Sequence, residues 1–341
     1  MGRPLSSECT QTVCPLKLMR DQLIVEGLTL RDFATGFHLR ARITCALAAS
    51  LLITTGCHRP SPTLRASEVS DHTHAALALI PAEAQLVLGA DLDRLRAQSA
   101  WETAAPALIR TVKPILNRFE SGAGVDPTRH LRHLVVALPA ERQSDDRFVV
   151  IADVEGLDEK RLLEGLGGRL GGATVEMRAN QQLVIRRGAW TNAAASLASL
   201  DTNSEMRRLC ERAAAGHGVW FAAIVPTSVR RKLMQDSPFA DVASMARISG
   251  HLDLHGGLAA DVAGELMTAA DATDLVHRLS VYLNQMKRHP DMLVWGLAPI
   301  WDAVHLSVDD ATVHARLDLP LAQLGDFVER FESLAHTGRT K

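Results

Sequence analysis

Apolar residues recur along this chain at two spacings, alternate positions in some stretches and positions three to four apart in others, and the switches between them divide it into elements. Gln85 to Ala90 predicts a first strand. A helix follows, opened by the capping box Ser99-x-x-Glu102, with Leu108, Val112, Ile115, Leu116 and Phe119 on one face. Pro114 removes a backbone donor inside that face and predicts a kink near Arg110, and the turn 122–127 ends the element. His133 to Leu138 and Phe148 to Val154 flank the polar stretch Glu141 to Arg147, the pattern of a hairpin. Asp158 then caps a helix through Leu162, Leu163, Leu166 and Leu170 that Gly171-Gly172 stops. A second hairpin sets Val175 and Met177 against Leu183 and Ile185, with Asn180-Gln181 at the turn. From Ser204 to Gly216 a helix places Met206, Leu209, Cys210 and Ala213 on its apolar face.

The same order recurs about 130 residues later. Val219 to Val225 is a strand, Thr227 to Met245 a helical stretch, and Ile248 to Leu254 with Leu258 to Leu266 a hairpin. Asp271 to Met286 is a helix carrying Leu275, Leu279, Leu283 and Met286. Val304, Leu306 and Val308 then face Val313, Ala315 and Leu317 across Asp309-Asp310. The insertion Pro290 to Trp301, with Trp295, thickens the second half, and a last helix runs from Pro320 to Leu334. These elements predict an α+β protein of two tandem ferredoxin-like halves, each β-α-β-β-α-β-β with antiparallel sheets, over residues 75–215 and 216–341. The halves either stack sheet on sheet or extend one sheet.

Ahead of the fold, Ile43 to Thr55 holds no charge, follows Arg40 and Arg42, and leads into Gly56-Cys57. As a helix it rises only about 20 Å, short of a roughly 30 Å bilayer core, so it predicts a signal peptide over residues 1–56 and not a membrane span. No later segment is both long and apolar enough to span. Asp21, Glu26 and Asp32 are foreign to a leader and predict a later start, with Met19 one internal candidate. Ile53-Thr54-Thr55-Gly56-Cys57 resembles the lipobox of bacterial lipoproteins, departing from it in Thr54 where that family carries Leu. The resemblance implies cleavage before Cys57, lipid on its sulfur, and attachment to a membrane of the cell envelope. His58, where an Asp would retain the protein elsewhere, implies the outer membrane of a Gram-negative cell. Residues 57–74, rich in Pro, Ser, Thr and Arg, read as a flexible tether. The stretches Pro81-Ala82-Glu83-Ala84 and Asp91-Leu92-Asp93-Arg94-Leu95-Arg96 resemble a group of uncharacterised bacterial lipoproteins over roughly residues 75–335, which brings no known activity.

Composition narrows the partners. A net charge of -2 with scattered Lys and Arg, 4% aromatic residues and a single tyrosine, Tyr282, leave nothing to hold a phosphate backbone or stack bases, so no nucleic acid is expected. Cleavage before Cys57 removes Cys9, Cys14 and Cys45; acylated Cys57 leaves Cys210 without a disulfide partner, and its helical face predicts a buried thiol.

Candidate chemistry is sparse. The strings Gly-x-Ser-x-Gly and His-Glu-x-x-His are absent, and the glycines from 165 to 172 end a helix where a phosphate loop would begin one. No catalytic residue and no cofactor are expected. His251, Asp253 and His255 alternate along a strand and would share one face, a ligand set for a metal or, more simply, the wet side of a half-covered sheet. Asp71-His72-Thr73-His74 would chelate only if extended, at the end of a tether. His130 and His133 straddle a turn and a strand start, and Asp145-Asp146 and Asp309-Asp310 fit turn chemistry. The sequence therefore predicts a lipid-anchored envelope protein that binds or scaffolds, with an envelope protein as partner; the alternative is a metal-dependent hydrolase centred on His251, Asp253 and His255.

Overall fold

The computed structural model describes residues 69–328 apart from 107–108, 110–119, 121–125, 140–146, 157, 159, 161, 163–171, 179–180, 193–198, 201–203, 237–241 and 291–297. The leader with Cys57, the apolar face from Leu108 to Phe119, Leu163 to Gly171, Asp145-Asp146, Trp295 and the end of the last helix lie outside the described residues.

Ten strands form one antiparallel sheet: β1 (Leu86–Asp91), β2 (Leu131–Leu138), β3 (Phe148–Val154), β4 (Thr174–Arg178), β5 (Gln182–Arg187), β6 (Val219–Ile224), β7 (Arg247–Asp253), β8 (Gly257–Glu265), β9 (Val304–Asp309) and β10 (Thr312–Pro320). Their order is β4-β5-β3-β2-β1-β6-β7-β8-β10-β9. The hairpins read from alternation are present in register: Val313 faces Val308 and Leu317 faces Val304, while Val175 faces Ile185.

The ferredoxin-like strand order is not what forms. That pattern splits its β-α-β unit by a strand inserted between two parallel neighbours. Here the excursion after β1 brings the chain back antiparallel, so β1 pairs directly with β2, and β1 also pairs with β6. Both flanks of β1 are therefore taken, and the two halves are continuous through Leu86–Ala90 against Val219–Ala223. Outward from this seam the order is β1-β2-β3-β5-β4 on one side and β6-β7-β8-β10-β9 on the other.

Because neighbouring strand residues point to opposite faces, each side of the sheet has its own core. Val87, Val135, Ala137, Val149, Ile151, Trp220 and Ala222 pack beneath helices α1 (Asp71–Leu77) and α3 (Ser204–Ala214), with Met206, Leu209 and Cys210 coming from the latter. The other face buries Ala152, Val154, Leu183 and Ile185 with Leu162, and Val313 with Leu275 and Leu279 of α5 (Ala269–Lys287). Thr268 caps α5 by accepting from the Asp271 N–H. A third cluster joins Leu95, on α2 (Leu92–Arg96), and Ala100 to Leu254, Leu317 and Leu319. No helix among the described residues is long and apolar enough to cross a membrane.

Two local outcomes differ from the sequence reading. Helix α1 lies partly inside the stretch read as tether: Ser70 accepts from the Thr73 N–H and starts it at Asp71, ahead of Ala75. Of the helical stretch Thr227 to Met245, the described residues form α4 (Thr227–Asp236) and a single 3-10 turn at Val242–Ser244. Cys210 is buried, as its helical face predicts, and has no disulfide partner among the described residues. Burial, with Glu211 beside it, pushes its thiol up to about 12. Folded protein is expected to leave Cys210 unlabelled by a thiol reagent at pH 8 that modifies it fully in urea; peptide mass mapping reads the difference, and fast labelling in the native state would contradict this burial.

Candidate functional site

Cross-strand pairing sets six residues in a row across the sheet: Gly89, Trp220, His251, Asp261, Arg316 and His305, on β1, β6, β7, β8, β10 and β9 respectively. The row begins apolar, with Trp220 packed on Gly89, and turns polar at His251. On this face Arg316 donates to Asp261, and His314 lies 3.5 Å from the same carboxylate. On this face the sheet is therefore apolar beneath α1 and α3, as far as β6, and turns polar from His251 outward.

Two residues further along β7, on the same face, Asp253 ends the strand and is 8% exposed. Its Oδ1 accepts from the Gly218 N–H at 2.8 Å and from Gln98 Nε2 at 3.0 Å, while Oδ2 lies 2.5 Å from His217 Nδ1. Gln98 is itself fixed, since its Oε1 accepts from the Leu254 N–H at 2.5 Å. The carboxylate thus ties together the residue before β6, the end of β7, and the segment following α2. His217 stacks on His251 with ring centroids 3.4 Å apart and planes 13° from parallel. Among the described residues, His217, His251 and Asp253 offer ligand atoms that all lie within 4.8 Å of one another.

The electrostatics suit that arrangement. Burial, reinforced by His217, lowers His251 to about 4, so its imidazole is neutral and keeps a lone pair at pH 7. Burial alone would raise Asp253; hydrogen bonds from His217, Gly218 and Gln98 overcome it and hold the carboxyl at about 2. Asp261, also against its burial, is lowered by His314 and Arg316. The result is one neutral imidazole, one histidine oriented by a carboxylate, and an anion. Such a set can accept a cation or relay a proton.

No protein-family model matches this chain, and no curated protein matches it. A solved structure does. The chain is similar to the protein in "Structure of crystal form I of TP0453", with 11% identity and a TM-score of 0.39, over 75% of this chain and 96% of that chain.

Of the three residues singled out on the strand, the structure brings His251 and Asp253 together but places His255 elsewhere. Alternation would carry His255 to their face only if β7 continued; the strand stops at Asp253, and Gly256, at φ +69, reverses the chain with its N–H donating to Ser99. His255 is left exposed in the turn. His217, missed in the sequence, takes its place from 36 residues away from Asp253. Its only signal was position, immediately before a predicted strand. The Asp71–His74 run is helical and docked: His72 Nδ1 lies 2.8 Å from Asp153 Oδ2, Thr73 Oγ1 lies 3.1 Å from His133 Nε2, and His74 lies 3.5 Å from Glu211. His133 is accordingly a core histidine, while His130 ends a short helix. Asp309 ends β9, paired with Thr312, and Asp310, at φ +50, makes the β9–β10 turn with Ala311.

Proposed function

We propose that this chain is an exported lipoprotein of the cell envelope, cut before Cys57 and lipid-anchored there, and that its folded part binds or scaffolds without catalysing a reaction. The observation that carries this reading is the uncharged run Ile43 to Thr55, which follows Arg40 and Arg42 and leads into the lipobox-like Gly56-Cys57. Residues 58–68 separate the lipobox-like cysteine from Val69, and just beyond them α1 is fastened to the sheet through His72 and Thr73 and to α3 through His74. Even fully extended, that spacer spans at most about 40 Å, which keeps the folded part close to the membrane that holds the lipid. The half-covered sheet supports binding, because it presents Ser249, His251, Asp261, His314 and Arg316 along one polar face. A partner on this reading is another envelope protein or a small ligand of that face, and the attachment is to the outer membrane. The group of uncharacterised Gram-negative lipoproteins remains the family whose patterning this chain resembles.

The fold itself is read here as an internal duplication. Both sides of the β1·β6 seam give the same strand order outward, and each ends in a hairpin whose later strand lies inside its earlier one.

The test is intact mass with membrane fractionation of the natural chain beside Cys57→Ser. Export predicts a natural form shortened to Cys57, carrying acyl mass and sedimenting with membranes, and a variant that lacks the acyl mass and is released. Two full-length, soluble proteins would overturn the reading.

A further inference from the structure

We infer that His217, His251 and Asp253 form a binding site for a divalent transition-metal ion of borderline softness, of which zinc is the representative. This names a ligand class for the binding reading above and rests on that reading for its biological use, not for its chemistry.

Three observations carry it. First, the donor set is two imidazoles and one carboxylate, the ligands such ions take at about 2.0–2.2 Å, whereas magnesium and calcium prefer oxygen alone. Second, the ligand atoms already lie within 4.8 Å of one another. A tetrahedral ion needs them about 3.3 Å apart. His217 and His251 are only partly buried, and rotation of their stacked rings about the side-chain bonds is the movement the ion would require. Third, the site has the outer support that metal sites use. Asp253 is held by Gly218 and Gln98, and Asp261 faces His251 directly across the ladder with its own charge anchored by Arg316. Three protein ligands leave a fourth position for water or a partner's side chain.

The ion would also join parts that are distant in sequence. His217 precedes β6, His251 and Asp253 close β7, and Asp253 reaches Gln98 after α2. Binding therefore stabilises the folded state against the unfolded chain, in which these residues are dispersed.

The experiment is calorimetric titration of zinc into the full chain after chelator treatment, alongside thermal melts with and without the ion. One zinc per chain is expected, with melting raised about 5–10 °C at a hundredfold excess over Kd and no response to magnesium. His217→Ala and His251→Ala, partly exposed positions that leave the Asp253–Gln98 contact in place, should each weaken zinc about 10- to 100-fold while keeping the native circular dichroism. His255→Ala should bind as the natural chain does. No zinc heat with the natural protein, or equal affinity in His251→Ala, would overturn the inference. Loss on His255→Ala would move the site to the exposed turn and overturn it as well. None of these results depends on whether Cys57 is acylated, so the anchoring and the metal site fail or stand separately.

Discussion

Gly89→Val is expected to cost more than about 3 kcal/mol, or to prevent folding outright, although it exchanges one small residue for another of high strand propensity. A Cβ on Gly89 would stand 2.1 Å from Trp220 Cε2, 2.2 Å from Cζ2 and 2.4 Å from Nε1. Trp220 is 1% exposed and sits directly opposite on the strand that joins the two halves. Its indole fills the space a side chain would occupy, within the core that Val87, Val135 and Ala222 share with α1 and α3. A rigid ring so enclosed cannot step aside, so the strain falls on the β1·β6 pairing. Gly264 is the informative control: an added Cβ there meets Met245 Sδ at 2.3 Å, the middle of an unbranched side chain that can rotate away. Urea denaturation should give Gly89→Ala a loss of roughly 2 kcal/mol or more and Gly264→Ala clearly less. Adding Trp220→Leu to Gly89→Ala should restore part of the loss, because the double variant removes the clash. Gly89→Ala within about 0.5 kcal/mol of the natural protein would show that the indole does not set this seam.

The same seam marks the limit of what the chain discloses on its own. Strands and hairpins were legible because alternation and turn residues are local: Val304, Leu306 and Val308 face Val313, Ala315 and Leu317 as their spacing requires. Strand order was not, since nothing local tells β1 to accept β2 on one flank and β6 on the other. Gly89 carried the hint, a gap in an apolar strand, but its complement Trp220 lies 131 residues on and is known only once the strands pair. The site divides in the same way. His251 and Asp253 were legible from period two, whereas His217 depends on which residue the β7 end meets, and His255 was lost to a turn two residues early. The Asp71–His74 run misled because its polar composition resembles a linker, while its histidines are held by Asp153 and Glu211 from distant elements.

Acidifying the metal-free protein, with chelator present, is expected to remove stability in two stages. Burial is the main cause that lowers His133 and His251 below the ordinary imidazole value in the fold, His251 to about 4. Unfolded, both take a proton near their ordinary 6.5. Below that pH the unfolded chain binds more protons than the native one, so stability is complete above about pH 7 and falls as pH drops toward 4. For His251 the span corresponds to about 3 kcal/mol, and His133, whose Nδ1 has no partner among the described residues, adds to it in the same direction. The second stage has the opposite chemistry. Asp253 is ionised in the fold down to about 2 but only to 3.8 when unfolded, so its contribution persists above 3.8 and is lost between those values. Urea midpoints at pH 7.5, 5.5, 4.5 and 3 separate the stages. His251→Gln, which cannot take up the proton, should start less stable at pH 7.5 yet lose less between pH 7.5 and 4.5 than the natural chain does. Equal losses in both proteins would show that His251 is open enough to charge in place. The stacked pair would then be an exposed surface feature and not the neutral, half-buried imidazole that lets β7 keep its polar end inside the fold.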